Sequence, residues 1–185
     1  MPPSPTSLRT LLARVALARV ALVRVALVLV VLTAGACGRG TTTAEPGAAE
    51  VVRVVDGDTI VVRIAGAEEP VRLIGIDTPE SVDPRSPVDC FGPEASEATK
   101  ALLPPATPVR LVRDVEARDR YDRLLAYVYR ADDDTFVNLR LAEQGFADVA
   151  TFPPNVAHTD AFVTAVAAAR QAGRGLWGAC PRAGG

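Results

Sequence analysis

The chain has 185 residues, with 20 Lys and Arg against 22 Asp and Glu, one His and three Cys, which is room for one ordinary domain and some extra length. Its first 36 residues hold four arginines and no acid, so the remainder carries 16 basic against 22 acidic residues, a net charge of −6. That balance excludes a protein that coats a polyanion with its whole surface; an anionic ligand would have to be caught in a local basic cleft.

From Leu8 to Leu27 the motif R-V-A-L recurs at Arg14, Arg19 and Arg24. An uncharged apolar run, Val25–Leu32, then gives way to Thr33-Ala34-Gly35-Ala36-Cys37. The run is shorter than the roughly 20 apolar residues that span a bilayer. It fits the core of a signal peptide over residues 1–36 behind a long basic region. The small residues ahead of Cys37 resemble the lipobox of bacterial lipoproteins, which implies lipidation of Cys37 and a Gly/Thr/Ala/Pro tether over residues 37–49. Plain cleavage near Ala36 is the other reading. In both the protein is exported, either held on the outer face of the cytoplasmic membrane through a lipid at Cys37 or secreted. Cys90 and Cys180 then remain as an even pair in an oxidising compartment, and a disulfide between them is expected; two buried thiols are the alternative.

From Glu50 the pattern is β, opening a domain expected over residues 50–181. Val51–Val55 and Ile60–Ile64 are β-branched runs around a hairpin turn at Asp56-Gly57-Asp58. Gly66 to Glu69 reads as a second turn and Val71–Ile76 as a third strand, followed by a Pro-rich loop over Ser81–Asp89. Gly92-Pro93-Glu94 opens a helix that Pro104-Pro105 stop. Val109–Val112 and Leu124–Tyr129 are two more strands. Asn138 is positioned to cap a short helix, Leu139–Gln144, ended by Gly145. His158–Ala172 is a last amphipathic helix, ended by Gly173. The predicted class is mainly β with three helices, in the order of a five-stranded OB-fold barrel.

Three clusters carry candidate chemistry: D-G-D-T at Asp56–Thr59, R-L-I-G-I-D-T-P-E at Arg72–Glu80, and R-Y-D-R at Arg120–Arg123. Alone, D-G-D is turn chemistry as readily as a metal ligand, D-T-P-E can simply end a strand, and R-D-R-Y-D-R can be a solvated loop of alternating charge. Arg72 inside an apolar strand is different, because a buried guanidinium needs a partner or a task. Together the clusters supply carboxylates for a hard cation, a further carboxylate, and two guanidinium groups. Hydrolysis of a phosphodiester asks for that set. Arg72 and Asp77 have opposite parity in an ideal strand, so a common site requires an irregularity between them, and Gly75 is the candidate.

The order D-G-D-T, R-x4-D-T-P-E, F-G-P-E-A, R-Y-D-R-L-L-A-Y-V resembles the staphylococcal nuclease (thermonuclease) family from about Glu50 to Gly178. The resemblance implies a five-stranded OB barrel with three helices that hydrolyses DNA and RNA with Ca2+, leaving 3′-phosphate ends. It implies that Asp58 and Asp77 ligate the calcium with carboxylates and Thr78 with its backbone carbonyl. Glu80 would orient or deprotonate the attacking water, Arg72 and Arg123 would grip the scissile phosphate, and Tyr121 and Arg120 would contact a neighbouring phosphate. Asp122 stands where the family commonly has glycine. The stretch Val149–Asn155 lacks the tyrosines of the family's nucleotide pocket and leaves Phe152 to stack on a base or pack in the core. His158 is expected at the surface or as a cap. A nucleic-acid-binding OB module of weak catalytic power on the cell envelope is the alternative function, and nothing in the chain calls for an obligate partner, so a monomer is expected.

Overall fold

The computed structural model describes residues 48–81 and 87–180. The leader, Cys37, most of the tether and residues 82–86 of the Pro-rich loop lie outside the described residues.

β-Branched alternation builds the first ribbon. β1 (Ala48–Val54) takes in the end of the expected tether and pairs antiparallel with β2 (Thr59–Ile64). Their register shifts between Val51 and Arg53, an irregularity of the kind that makes a ribbon coil. β2 pairs with β3 (Ala67–Leu73) across a two-residue turn in which Ile64 faces Ala67. Ala65 and Gly66 both have positive φ, 50° and 90°, the handedness that matches strand twist. The second turn is therefore Ala65–Gly66, and Glu68 and Glu69 belong to β3.

The expected third strand does not run straight to Ile76. β3 ends at Leu73, and after Ile74 the chain turns at Gly75, where φ is +86°. β4 (Gly75–Asp77) leaves the barrel and pairs with another short strand near residue 149. A Cβ at Gly75 would lie 2.2 Å from Phe162 Cε2, so the bend needs both the freedom and the smallness of glycine.

α1 (Gly92–Leu102) has Pro at its start and Glu94 in its first turn, both suited to a helix N-terminus. β5 (Pro108–Val112) pairs antiparallel with β1 and with β6 (Leu124–Arg130), and β6 runs parallel to β3. Five strands thus close in the order β1-β2-β3-β6-β5. Val51, Ile60, Val62, Val71, Leu73, Val109 and Val128 are buried in the core. α2 (Val137–Gln144), β7 (Asp148–Ala150), α3 (Thr159–Gln171) and a single turn, α4 (Leu176–Ala179), complete the domain. β7 is the partner of β4. The mainly-β barrel with three substantial helices is the expected architecture.

Asn138 departs from expectation, and His158 takes an expected position with added contacts. Asn138 does not cap α2; that position falls to Phe136. Asn138 is fully buried, and its Oδ1 accepts from Val128 N at 2.9 Å while Nδ2 donates to Ile74 O at 2.9 Å and Ala126 O at 3.2 Å. A buried amide is stable only with partners, and these stitch α2 to β6 and to the bend ahead of β4. His158 is the N-cap residue of α3, one of its two expected placements, though its side chain makes no cap hydrogen bond. Its ring packs edge-on to Tyr127 at 4.4 Å and against Phe136 at 5.1 Å, in an aromatic cluster.

Candidate active site

The turn between β1 and β2 is held from three sides. Asp56 Oδ1 accepts from Asp58 N at 3.0 Å, Asp58 O accepts from Leu73 N at 2.8 Å, and Thr99 on α1 donates to Gly57 O at 2.6 Å. Gly57 is pressed on Thr78, where an added Cβ would come within 2.5 Å of Oγ1. Asp58 is 6% exposed. Its carboxylate accepts from Thr59 Oγ1 at 3.2 Å and from Thr78 N and Oγ1 at 3.0 and 3.1 Å. The first cluster and the D-T-P-E stretch are therefore one unit.

Arg72 joins that unit to the bend. Nη1 donates to Leu73 O at 2.7 Å and Ile76 O at 3.0 Å, while Nη2 lies 2.8 Å from Asp77 Oδ1 and 3.1 Å from Asp58 Oδ2. The break at Gly75 puts Arg72 and Asp77 on the same side despite their opposite parity. One guanidinium edge satisfies backbone carbonyls, and the adjacent nitrogen faces two carboxylates, a task for a planar fork of donors.

Arg123, immediately before β6, is set by Asp119. Asp119 Oδ2 accepts from Arg123 Nε and Nη2, both at 2.7 Å, and Oδ1 accepts from the backbone N of Tyr121 at 2.9 Å and of Arg123 at 3.0 Å. Burial pushes the Asp119 carboxyl up, but the hydrogen bonds from Arg123 and the loop amides outweigh it and hold it below the usual carboxylate range. Arg123 Nη1 reaches Thr59 Oγ1 at 3.4 Å. The alternating-charge run is thus a structured loop. Asp119 is the residue that sequence reasoning passed over, although an Asp two residues before a loop amide is recognisable turn chemistry. Asp122, with φ +64°, is exposed and lies 3.6 Å from Arg118, the arginine whose Nη1 also donates to Asp122 O.

A polar hollow of about 230 Å³ is lined by Asp56, Asp58, Thr59, Arg72, Asp77, Thr78, Pro79, Glu80 and Arg123. Every residue expected to be catalytic or metal-binding is in this set. Glu80 Oε1 accepts from Ser81 N at 2.8 Å. Arg120 and Tyr121 line a neighbouring cavity of about 420 Å³ that shares Arg72 and Arg123 with the first. Arg120 Nη2 donates to Tyr121 Oη at 2.6 Å, and the guanidinium carbons of Arg120 and Arg123 stand 4.7 and 5.5 Å from the Tyr121 ring centre. Phe152 lines that cavity at 72% exposure, so it is not a core residue.

The charge balance of the smaller hollow favours a cation. Among the described residues, Asp56, Asp58, Asp77 and Glu80 line this hollow together with Arg72 and Arg123. Burial and then the neighbouring Asp58 charge push Asp56 up to about 6, a sign of carboxylates crowded beyond what their arginines neutralise. Among the described residues no three His, Cys, Asp or Glu side chains enclose a metal by themselves. A hard ion such as Ca2+ completes its shell with carbonyl and water oxygens, so two carboxylates with Thr78 are a fitting donor set.

A small closed five-stranded barrel with acids and two arginines lining one hollow is an OB-type domain. The family model described as staphylococcal nuclease homologue matches residues 70–179. The thermonuclease of Staphylococcus hyicus is 38% identical over 138 residues, 75% of this chain and 80% of that protein. The thermonuclease of Staphylococcus intermedius is 48% identical over 105 residues, 57% of this chain, and endonuclease YncB of Bacillus subtilis (strain 168) is 39% identical over 111 residues, 60% of it. The aligned regions span 61% and 52% of those two relatives. The chain belongs to the staphylococcal nuclease family.

Proposed function

We propose that this chain is a nuclease that hydrolyses phosphodiester bonds of DNA and RNA with the help of Ca2+, leaving 3′-phosphate ends. The observation that carries the reading is the contact of one Arg72 nitrogen with both Asp58 and Asp77 in a hollow that also contains Arg123 and Glu80. The nuclease names of the relatives support the same reading.

Asp58 and Asp77, with the Thr78 carbonyl, would hold the calcium, whose chemistry there is neutralisation of charge on a phosphate oxygen. Glu80 accepts a hydrogen bond from the attacking water and takes its proton. Arg72 and Arg123 donate to the non-bridging oxygens, and their positive charge is already fixed where negative charge grows. Asp119 fixes the fork of Arg123 in advance, so little reorganisation is needed at the moment of reaction. Tyr121 and Arg120 border the neighbouring cavity and contact the next phosphate. The 5′-oxygen departs as the phosphorus–oxygen bond breaks.

Export, with or without a lipid at Cys37, is part of the proposal. It is supported by the leader pattern and by the Cys90–Cys180 bond, which suits an oxidising compartment. Palmitate labelling of expressing cells tests the anchor. For the activity, single-stranded DNA and RNA are incubated with the purified protein and Ca2+ or other divalent ions. Cleavage that a chelator abolishes and that Glu80→Gln reduces strongly, with substrate binding retained, is the expected result. Binding without cleavage under every ion would establish the non-catalytic module instead.

A further inference from the structure

Glu80 follows Pro79 beyond the last residue of β4, outside the barrel ladder, yet its backbone is clamped. Asp89 Oδ2 accepts from Glu80 N at 3.0 Å, and Asp89 N donates to Glu80 O at 2.9 Å. Gly92 lies flush on the same carbonyl, where an added Cβ would stand 2.4 Å from Glu80 O. Cys90, the residue after Asp89, is bonded to Cys180. Cys180 N donates to Leu176 O at 3.0 Å, Leu176 N donates to Gly145 O at 2.9 Å, and Phe91 stacks on Phe146 at 5.6 Å. The support for Glu80 therefore runs through the end of the chain to α2, by a route separate from the strands that carry Arg72 and Arg123.

We infer that Asp89 is a positioning residue for Glu80, and that the Cys90–Cys180 bond keeps Asp89 in place, so that the C-terminal turn of the chain sets the geometry of the water-activating carboxylate. The inference rests on the reading of Glu80 as the group that orients the attacking water. Asp89 touches no reacting atom; it fixes both backbone hydrogen-bonding groups of Glu80 and so restricts where the carboxylate can reach. Misplacement by about 1 Å costs a catalytic group on the order of 100-fold in rate.

The test compares Asp89→Ala, Asp89→Asn and the Cys90→Ser/Cys180→Ser pair with wild type, each alone and each combined with Glu80→Gln. The readouts are kcat and KM on a single-stranded oligonucleotide with Ca2+, and hydrogen exchange of the peptide containing Glu80 without any metal. Asp89→Ala and the cysteine pair should lower kcat about tenfold or more with KM within about twofold, and should speed exchange at Glu80. Asp89→Asn, which still accepts a hydrogen bond, should restore most of kcat. In the Glu80→Gln background, Asp89→Ala should change kcat little, because the carboxylate it positions is gone. Wild-type kcat and exchange in Asp89→Ala would overturn the inference, as would an equal loss in the Glu80→Gln background. A Glu80→Gln protein as active as wild type would instead overturn the role of Glu80 itself.

Discussion

Under the proposed mechanism Arg123 carries two demands at once: it reaches a phosphate while it stays bound to Asp119 through Nε and Nη2 at 2.7 Å. A lysine gathers its three donors on one nitrogen and cannot hold the carboxylate through two separate nitrogens while a third points elsewhere. Arg123→Lys is expected to lower kcat about 100-fold, the scale for loss of one transition-state donor, with a smaller change in KM; steady-state kinetics on an oligonucleotide would measure it. The acids and arginines of this hollow were legible as residue types, because linked clusters of carboxylates and guanidinium groups stand out against the apolar strands beside them. Asp119 was not, since its importance lies in which atoms it faces, and Asp56 was visible only as half of a turn. Burial and then the neighbouring Asp58 charge raise its carboxyl to about 6, and spacing alone does not reveal that burial.

Strand boundaries depend on partners, and partners distant in sequence are where local reading stops. Apart from Arg72 the run Val71–Ile76 has no polar side chain, and it gave no sign that Gly75 to Asp77 would pair with β7. Parity between Arg72 and Asp77 did require a break, and Gly75 supplies it with a φ of +86°. Gly75→Ala is expected to destabilise by at least about 2 kcal/mol, since it combines left-handed strain with a clash against Phe162, and to depress activity as the Arg72–Asp77 contact opens. Chemical denaturation and kinetics would measure both. The Ala65–Gly66 turn offers the opposite case. Its first residue is an alanine at φ 50°, where asparagine is tolerated far better. Ala65→Asn is expected to stabilise by about 0.5–1 kcal/mol, a rise of a few degrees in Tm by thermal unfolding. The five barrel strands were readable because β-branched runs and turn residues mark them; α2 was misread at its start because a buried Asn138 looks the same in sequence as a capping one.

For the whole domain, resistance to acid should follow the groups whose folded carboxyls are held low. Asp119 is one, lowered by Arg123 and loop amides against the opposing effect of burial. Such a carboxylate stabilises the fold above its unfolded pKa, near 3.9, and that contribution disappears as pH falls through the lower folded value. Asp119→Asn is therefore expected to cost about 1–3 kcal/mol at pH 7 and progressively less on acidification below pH 4. Urea midpoints at several pH values would check it, and a penalty independent of pH would remove the ionic explanation. The barrel architecture was legible from the order of elements and the linked motifs. Its particular strand partners were not, and one long-range match among them sets Arg72 beside β6.

That match is the parallel pairing of β3 with β6, in which Val71 lies beside Leu124 and Arg72 beside Leu125. The ribosome delivers Arg72 well before Arg123, and no local hairpin can bring the two together. A nascent chain halted before β6 cannot form the pairing that sets Arg72 beside the strand that follows Arg123. Under the proposed mechanism, cleavage is therefore withheld from every incomplete translation product and begins only when tertiary structure itself has formed.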